Sequence, residues 1–260
     1  MTTFTDITLE AVSSVRQIAA EDWDACAHPE GSAYNPFLSY AFFAALENSG
    51  SAIARTGWAA RHLVARCEEH ILGIVPCYLK NHSQGEYVFD HNWADAFMRA
   101  GGAYYPKLQV SVPFTPVTGP RLLVRSDADQ EQIREALIAG MIGLCSQLNV
   151  SSVHVTFAAQ SEWELLKQHG FLQRTDQQYH WANENYASFD DFLATLASRH
   201  RKAIKRERRD ALTNGIDIHV LTGDAITEDA WDAFYEFYME TGSRKWGRPY
   251  LNRAFYTQIA

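Results

Sequence analysis

Apolar and polar residues alternate over Ile7-Thr-Leu-Glu-Ala-Val12, the two-residue period of a strand. Helical spacing follows around Ala19 to Ala27, and Asn35-Pro36 opens a second helix through Leu38, Phe42 and Leu46, with proline in the first turn, where a missing N–H costs nothing. His62-Leu-Val-Ala-Arg-Cys67 and Ile71-Leu-Gly-Ile-Val-Pro-Cys-Tyr-Leu79, joined by polar Glu68-Glu69-His70, predict an antiparallel hairpin, and Glu86-Tyr-Val-Phe89 a further strand. Residues 90–120 are aromatic, rich in Gly and Pro, and without a sustained period, which predicts a long irregular connection of the kind that carries function. After a strand at Leu122-Leu-Val124, the acidic stretch Asp127 to Glu131 starts a helix with Ile133, Leu137, Met141 and Leu144 on one face. Ser152-Val-His-Val-Thr-Phe157 predicts a strand. Ser161-Glu-Trp-Glu164 is a capping box opening a short helix that Gly170 ends, and Phe171 to Trp181 reads as a final strand.

A second capping box, Ser188-Phe-Asp-Asp191, begins a helix with the apolar stripe Phe192, Leu193, Leu196, Ala197 and Ile204, expected to run to Asn214-Gly215. Ile216-Asp-Ile-His-Val-Leu221 predicts a strand, and Thr227 caps a helix carrying Trp231, Phe234, Tyr235 and Tyr238. One strand and its helices cannot bury so many aromatic rings without a sheet beneath them. The fold expected is therefore mixed α/β (α+β), a mainly antiparallel sheet flanked by helices. Residues 1–185 are expected to form a complete domain, and 186–260 the opening part of a second, incomplete one.

Composition narrows the class. Hydrophobic residues are 47% and charged residues 21%, an ordinary globular balance. No basic, then apolar, leader is visible at the N-terminus, and the longest apolar run, Ala136 to Leu144, is glycine-broken and far short of the roughly 20 residues a membrane span needs. Cys26, Cys67, Cys77 and Cys145 form no C-x-x-C pair and no zinc spacing, so they read as reduced thiols of a cytoplasmic protein. The net charge of −8 is uneven: residues 1–185 carry 12 Lys+Arg against 20 Asp+Glu, residues 186–260 carry 11 of each, and seven of those cations fall between Arg199 and Arg209. The acidic part matches nucleic acid poorly, and DNA is not an expected partner; the basic run suits an anion.

The wording of the loops is more specific than their topology. Tyr87-Val-Phe-Asp-His-Asn-Trp-Ala-Asp-Ala-Phe97, Tyr104-Tyr-Pro-Lys-Leu108, Pro113-Phe-Thr-Pro-Val-Thr-Gly-Pro-Arg121 and Arg244-Lys-Trp-Gly-Arg-Pro-Tyr-Leu251 resemble bacterial N-acyltransferases of the GNAT superfamily related to the Fem peptidoglycan-bridge enzymes, which carry two tandem GNAT-like domains. The helix-Gly-Phe ending at His169-Gly170-Phe171 fits the same resemblance. It implies transfer of an acyl or aminoacyl group, from acyl-CoA (acetyl-CoA) or aminoacyl-tRNA, to an amine on a small molecule or a cell-wall precursor. A cleft against both domains is implied too, so a chain cut short in the second is expected to be impaired.

Such chemistry needs a base for the amine, an oxyanion donor and an acid for the leaving group. Asp95, with its neighbour Asp90, and His91 are candidate bases, and Tyr105 a candidate acid beside Tyr104. Trp93, Tyr104, Phe114 and Thr115 are expected to wall a pocket, with Lys107, Arg121, Lys245, Trp246 and Arg248 contacting substrate or its anionic groups. The stretch Pro113 to Pro120, where the fold implied would cradle a pyrophosphate, has three prolines without donors and a single glycine, and Asp127, Asp129 and Glu131 oppose an anion there. His91 has no partner at a ligand spacing such as H-x-x-x-H, so no metal is expected, and no serine sits in a G-x-S-x-G elbow. Arg201, Lys202, Lys205, Arg208 and Arg209 line the wet side of the basic helix, either as a solvated face or as a contact for phosphate, tRNA in the version the resemblance implies. Two further readings stand beside the enzyme: a non-catalytic module recognising glycan or peptide through its aromatic loops, and an anion-binding scaffold built on the basic helix.

Overall fold

The computed structural model describes residues 6–213, 215–244 and 247–259. It divides into two compact units, residues 1–173 with 227–260, and residues 174–226. In the first unit the expected β1 (Ile7–Val12), α1 (Ala20–Ala27) and hairpin β3 (His62–Cys67) with β4 (His70–Val75) are present. Pro36 opens only a short 3-10 turn, and Ser39, whose hydroxyl accepts from Phe42 N at 3.3 Å, caps a separate α2 (Tyr40–Asn48).

Proline decides the architecture. Ile71 to Leu79, a continuous strand by pattern, is cut at Pro76, which has no N–H to give a ladder. β4 therefore stays in a sheet of order β1-β3-β4-β7, with β7 at Leu123–Val124, while β5 (Cys77–Lys80) enters a second sheet of order β2-β5-β6-β8. In that sheet β2 is Trp58–Ala60, β6 Lys107–Val110 and β8 Val153–Val155. Among the described residues all strand pairs are antiparallel except β6 with β8.

Helix α4 (Gln130–Gln147) lies on the first sheet with Ile133, Leu137, Met141 and Leu144 all buried, each worth about 1.5–3 kcal/mol of transfer free energy. Close approach depends on glycine: a Cβ on Gly73 would meet Ile133 Cγ2 at 2.6 Å and the Leu123 carbonyl at 3.2 Å. On the other side of the core Trp23, Phe43 and Leu46 from α1 and α2 are buried, and the Trp23 indole donates to Leu38 O at 2.8 Å.

Several expectations are corrected. Glu86 to Phe89 is not a strand, because Glu86 turns its carboxylate inward to a lysine. The stretch read as irregular contains α3 (His91–Arg99) and β6. After α5 (Gln160–Gln168) and Gly170 at φ 86°, Phe171 packs on the core, but residues 172–181 join no strand ladder. α8 (Glu228–Arg244) and α9 (Arg253–Ile259) return to the first unit, where Phe255 and Tyr256 are buried and Phe42 meets Phe255 edge-on at 5.8 Å.

The second unit holds α6 (Phe189–Thr195) and α7 (Ser198–Asp210), a single helix by pattern that is broken at Leu196 and Ala197, both with β-like ψ. Ser188 Oγ accepts from Asp191 N at 3.2 Å, as the capping box requires. Trp181, Tyr186, Phe189 and Phe192 cluster by ring contacts, and Leu193 is buried. Ile216 to Leu221 is exposed and not in a strand, so its alternation finds no ladder among the described residues.

Candidate functional site

Strand register puts polar side chains on one face of the second sheet. Tyr78 pairs with Gln109 and Lys80 with Lys107 across β5 and β6, and Gln109 with His154 across β6 and β8. Side chains alternate along a strand, so Tyr78, Lys80, Lys107, Gln109 and His154 share a face, and Ser111 follows Gln109 at the next alternate position. A solvent-facing row of this kind would be unremarked, but Lys80, Lys107, Gln109, Tyr78 and Ser111 are all buried.

At one end of the row is an ion cluster. Lys107 Nζ donates to Glu86 Oε2 and Asp90 Oδ2, each at 2.8 Å, and to Ser83 Oγ at 2.9 Å. Asp90 Oδ2 also accepts from Ser83 Oγ at 2.9 Å and from the Tyr104 hydroxyl at 2.8 Å, while Tyr105 OH lies 2.8 Å from Ser83 Oγ. Lys80 Nζ sits 3.5 Å from the centroid of the Trp58 ring, donates to Gln84 O at 3.2 Å and stands 4.0 Å from Glu86 Oε1. Burial, only partly offset by Glu86, pulls the Lys80 ammonium down to about 7. Burial raises the Glu86 carboxyl against the pull of Lys107. For Asp90 burial acts upward too, but the hydrogen bonds from Lys107, Ser83 and Tyr104 prevail and hold it below the ordinary carboxylate range. Burial and Asp90 together keep the Tyr104 phenol protonated well above its usual value.

Further along the row three buried polar atoms lack a hydrogen bond. Tyr78 OH, Gln109 Oε1 and Ser111 Oγ are buried without a hydrogen bond, although Gln109 Nε2 donates to Thr156 Oγ1 at 3.0 Å. An orphaned buried polar group costs about 1–3 kcal/mol, so three on one face single out this stretch of the sheet. Two hydroxyls and a carboxamide oxygen offer donors to a carbonyl and an acceptor to an N–H.

The expected residues divide accordingly. Tyr104, Tyr105 and Lys107 come together with Asp90 in the ion cluster, with Lys107 turned wholly inward. His91, Trp93 and Asp95 are exposed on α3, where Ala94 is buried. Arg121 does not face a ligand: its buried guanidinium donates to the carbonyls of Val117, Gly119, Pro120 and Thr156. Glu162 takes the N–H groups of Arg121 and Leu122 at 2.7 and 3.0 Å, which fixes the same corner. Phe114 stacks on Tyr250 with centroids 5.1 Å apart, and Thr115 Oγ1 donates to Pro113 O at 3.1 Å. Arg248 is exposed, and Lys245 and Trp246 lie outside the described residues. On α7, Lys202 is exposed, Lys205 pairs with Asp190 at 2.8 Å, Arg208 lies over the Phe189 ring, Arg209 pairs with Asp210, and Arg201 donates to Ala194 O. Lys205, Arg208, Ser188, Phe189, Asp190 and Leu193 line an open hollow of about 440 Å³.

Sequence reasoning missed Lys80, Glu86, Ser83, Tyr78, Gln109 and Ser111. It missed a second pair as well, buried His62 with half-buried Glu47 at 3.0 Å. His62 Nδ1 accepts from Cys77 N, so its Nε2 is the donor, and Glu47 also takes Ser14 Oγ and Val15 N. Among the described residues no group of three or more His, Cys, Asp or Glu is placed to hold a metal ion, and no helix is long and apolar enough to cross a membrane.

Residues 14–260 match the family of FemAB-like proteins, described as peptidoglycan biosynthesis/recognition. The chain belongs to the FemAB-like family. The kinship expected from the loops around Tyr87–Phe97 and Pro113–Arg121 thus holds. No curated protein matches this FemAB-like chain. Solved structures similar to it include a ribosomal-protein-alanine N-acetyltransferase from Brucella melitensis biovar Abortus 2308, at 14% identity over 69% of this chain and 100% of that one, TM-score 0.39. An acetyltransferase from Trypanosoma brucei shares 12% identity over 68% of this chain and 100% of that one, TM-score 0.39. The aminoglycoside acetyltransferase AAC(6')-Iy, in complex with a CoA-containing bisubstrate analogue, shares 10% over 69% and 99%, TM-score 0.40.

Coenzyme A does not fit the start of α4 in this FemAB-like protein. Asp129 Oδ1 already accepts from Glu131 N and Gln132 N, each at 3.1 Å, and so occupies the donors that a pyrophosphate would need with a negative charge of its own.

Proposed function

We propose that this FemAB-like chain is an N-acyltransferase that moves an acyl or aminoacyl group from a CoA thioester or an aminoacyl-tRNA to an amine, with a peptidoglycan precursor as the acceptor class. The family match over residues 14–260 carries the reading. The row of Tyr78, Gln109 and Ser111 supports it by offering unpaired donors and an acceptor where an acyl carbonyl and an amine can both be held. Tyr78 is a hydrogen-bond donor to the acyl carbonyl or the leaving group, since burial raises its phenol far above the usual range and keeps the proton on. His91, Trp93 and Asp95 on the outer face of α3 recognise the acceptor, the ring against its apolar face and the polar pair at its hydrogen-bonding groups. Of the two donors, the polyanionic one suits the protein better, because the α4 start is closed to a pyrophosphate while α7 carries exposed Lys202 and Arg209. Phosphate contacts of that kind weaken as salt rises.

A second reading is favoured by one observation. Phe89, Trp93 and Phe97 are 73%, 60% and 45% exposed. Such rings suit a module that recognises glycan or peptide without turnover. Thermal-shift screening separates the two: stabilisation by acyl-CoA or charged tRNA is expected for the enzyme, whereas stabilisation by muropeptides alone assigns the module.

A further inference from the structure

β1 stops at Val12, opposite His62, and β2 is the edge strand of its sheet, so among the described residues no strand runs along the outer side of β2. The end of α2 and a 3-10 turn, Ala54–Thr56, border this gap and leave a cavity of about 260 Å³. Its wall is small and apolar at Ala52, Ala59 and Ala60, and it also carries Glu47, Arg61 and Trp58.

The two charged residues of that wall have no charged partner. Glu47 accepts from Val15 N, Ser14 Oγ and His62 Nε2, three donors for about four lone-pair sites on a carboxylate. All three donors are neutral, because His62 Nδ1 accepts from Cys77 N at 3.2 Å and so carries no proton of its own. Burial works against ionisation of Glu47, but these bonds prevail and hold its carboxyl below the ordinary range. Arg61 donates to Ala60 O and, among the described residues, makes no ion pair. An anion and a cation thus line one cavity without meeting. The Trp58 indole N–H, buried with no acceptor, is a further donor in the same wall. A simple cation would answer Glu47 and leave Arg61 and the indole as they are, and a simple anion would do the reverse. A zwitterion answers all three.

We propose that this cavity is a binding site for a free amino acid with a small aliphatic side chain, its ammonium at Glu47, its carboxylate at Arg61 and Trp58, and its side chain against Ala52, Ala59 and Ala60. Size agrees with that ligand. A dry cavity of roughly 150 Å³ holds a benzene molecule, so 260 Å³ has room for an amino acid with a few side-chain carbons. The inference is separate from the acyl-transfer reading and needs no acyl donor.

Isothermal titration of the full chain with L-alanine, ethylamine and propionate tests it, the last two being alanine without its carboxylate and alanine without its amine. Alanine is expected to bind tighter than either by roughly tenfold or more, since each analogue forfeits one charge-assisted contact. Arg61→Met is expected to weaken alanine by roughly tenfold and to leave ethylamine unchanged. Ala54→Phe, which fills the cavity from an exposed position on its wall and alters neither charge, is expected to abolish binding of all three. No heat from alanine, equal affinity for alanine and a single-charge analogue, or alanine binding that either variant leaves intact overturns the proposal. Should Arg61→Met fail to fold, the two analogues and Ala54→Phe still decide. No donor is present in any of these titrations, so their outcome and that of the acyl-transfer reading are told apart.

Discussion

Removing Lys107 tests the energetics of the ion cluster. Lys107→Met keeps the length of the side chain and deletes three donated bonds of 2.8–2.9 Å, two of them to carboxylates. Asp90 retains Ser83 and Tyr104 as donors, but Glu86 Oε2 loses its hydrogen bond and its nearest remaining cation is Lys80, 4.0 Å from the other oxygen. Breaking one side of a buried ion pair costs about 3–5 kcal/mol, against total stabilities of about 5–15 kcal/mol, so the variant is expected to be severely destabilised. Urea unfolding followed by tryptophan fluorescence reads the loss as a lower midpoint at unchanged slope. The triple variant Lys107→Met, Glu86→Gln, Asp90→Asn removes the three charges that meet at Lys107, and most of the loss is expected to return, because buried neutral amides carry a much smaller desolvation penalty than carboxylates left without their cation. A loss under about 1 kcal/mol for Lys107→Met, the range of an exposed pair, refutes the reasoning, as does a triple variant no more stable than the single.

Other consequences are simpler to check. Gly73→Ala places a methyl against Ile133 and the Leu123 carbonyl, and is expected to lower stability by about 1–3 kcal/mol in a melt. Glu47, lowered overall by its bonds to His62, Ser14 and Val15 although burial acts the other way, contributes stability that is present above the ordinary carboxylate value and lost as pH falls through its depressed one. Glu47→Gln should therefore flatten the acid limb of an unfolding-against-pH profile. Burial pushes the Cys26 and Cys77 thiols up to about 12, so at pH 8 iodoacetamide is expected to spare both in the native protein and to modify them only after unfolding, as mass spectrometry of peptides will show.

Where one face of an element meets water, the chain announced its structure. The alternation of Ile7 to Val12 and the Ile133, Leu137, Met141, Leu144 face lie in β1 and α4 as expected, since a polar residue there is a solvated one. The same rule failed on β6, whose inward positions Lys107 and Gln109 are polar and buried. Lys107 meets Glu86 and Asp90 at separations of 21 and 17 residues, and no local period encodes such a pairing. Pro76 carried a legible signal, the missing donor, whose consequence was larger than a kink: it moves the chain from one sheet to the other. Arg121 was misleading for a related reason, because a guanidinium that satisfies four backbone carbonyls has the same letter as one that awaits a phosphate.

The most direct trial of acyl transfer at the polar row is mass spectrometry of a muropeptide amine incubated with the full chain and either charged tRNA or acetyl-CoA, for wild type and Tyr78→Phe in parallel. A new amide on the acceptor, falling at least tenfold in Tyr78→Phe while the fold and acceptor binding persist, is the expected result. Equal product from both proteins would remove the row from the chemistry, and muropeptide binding with no product from either donor would make the protein a recognition module.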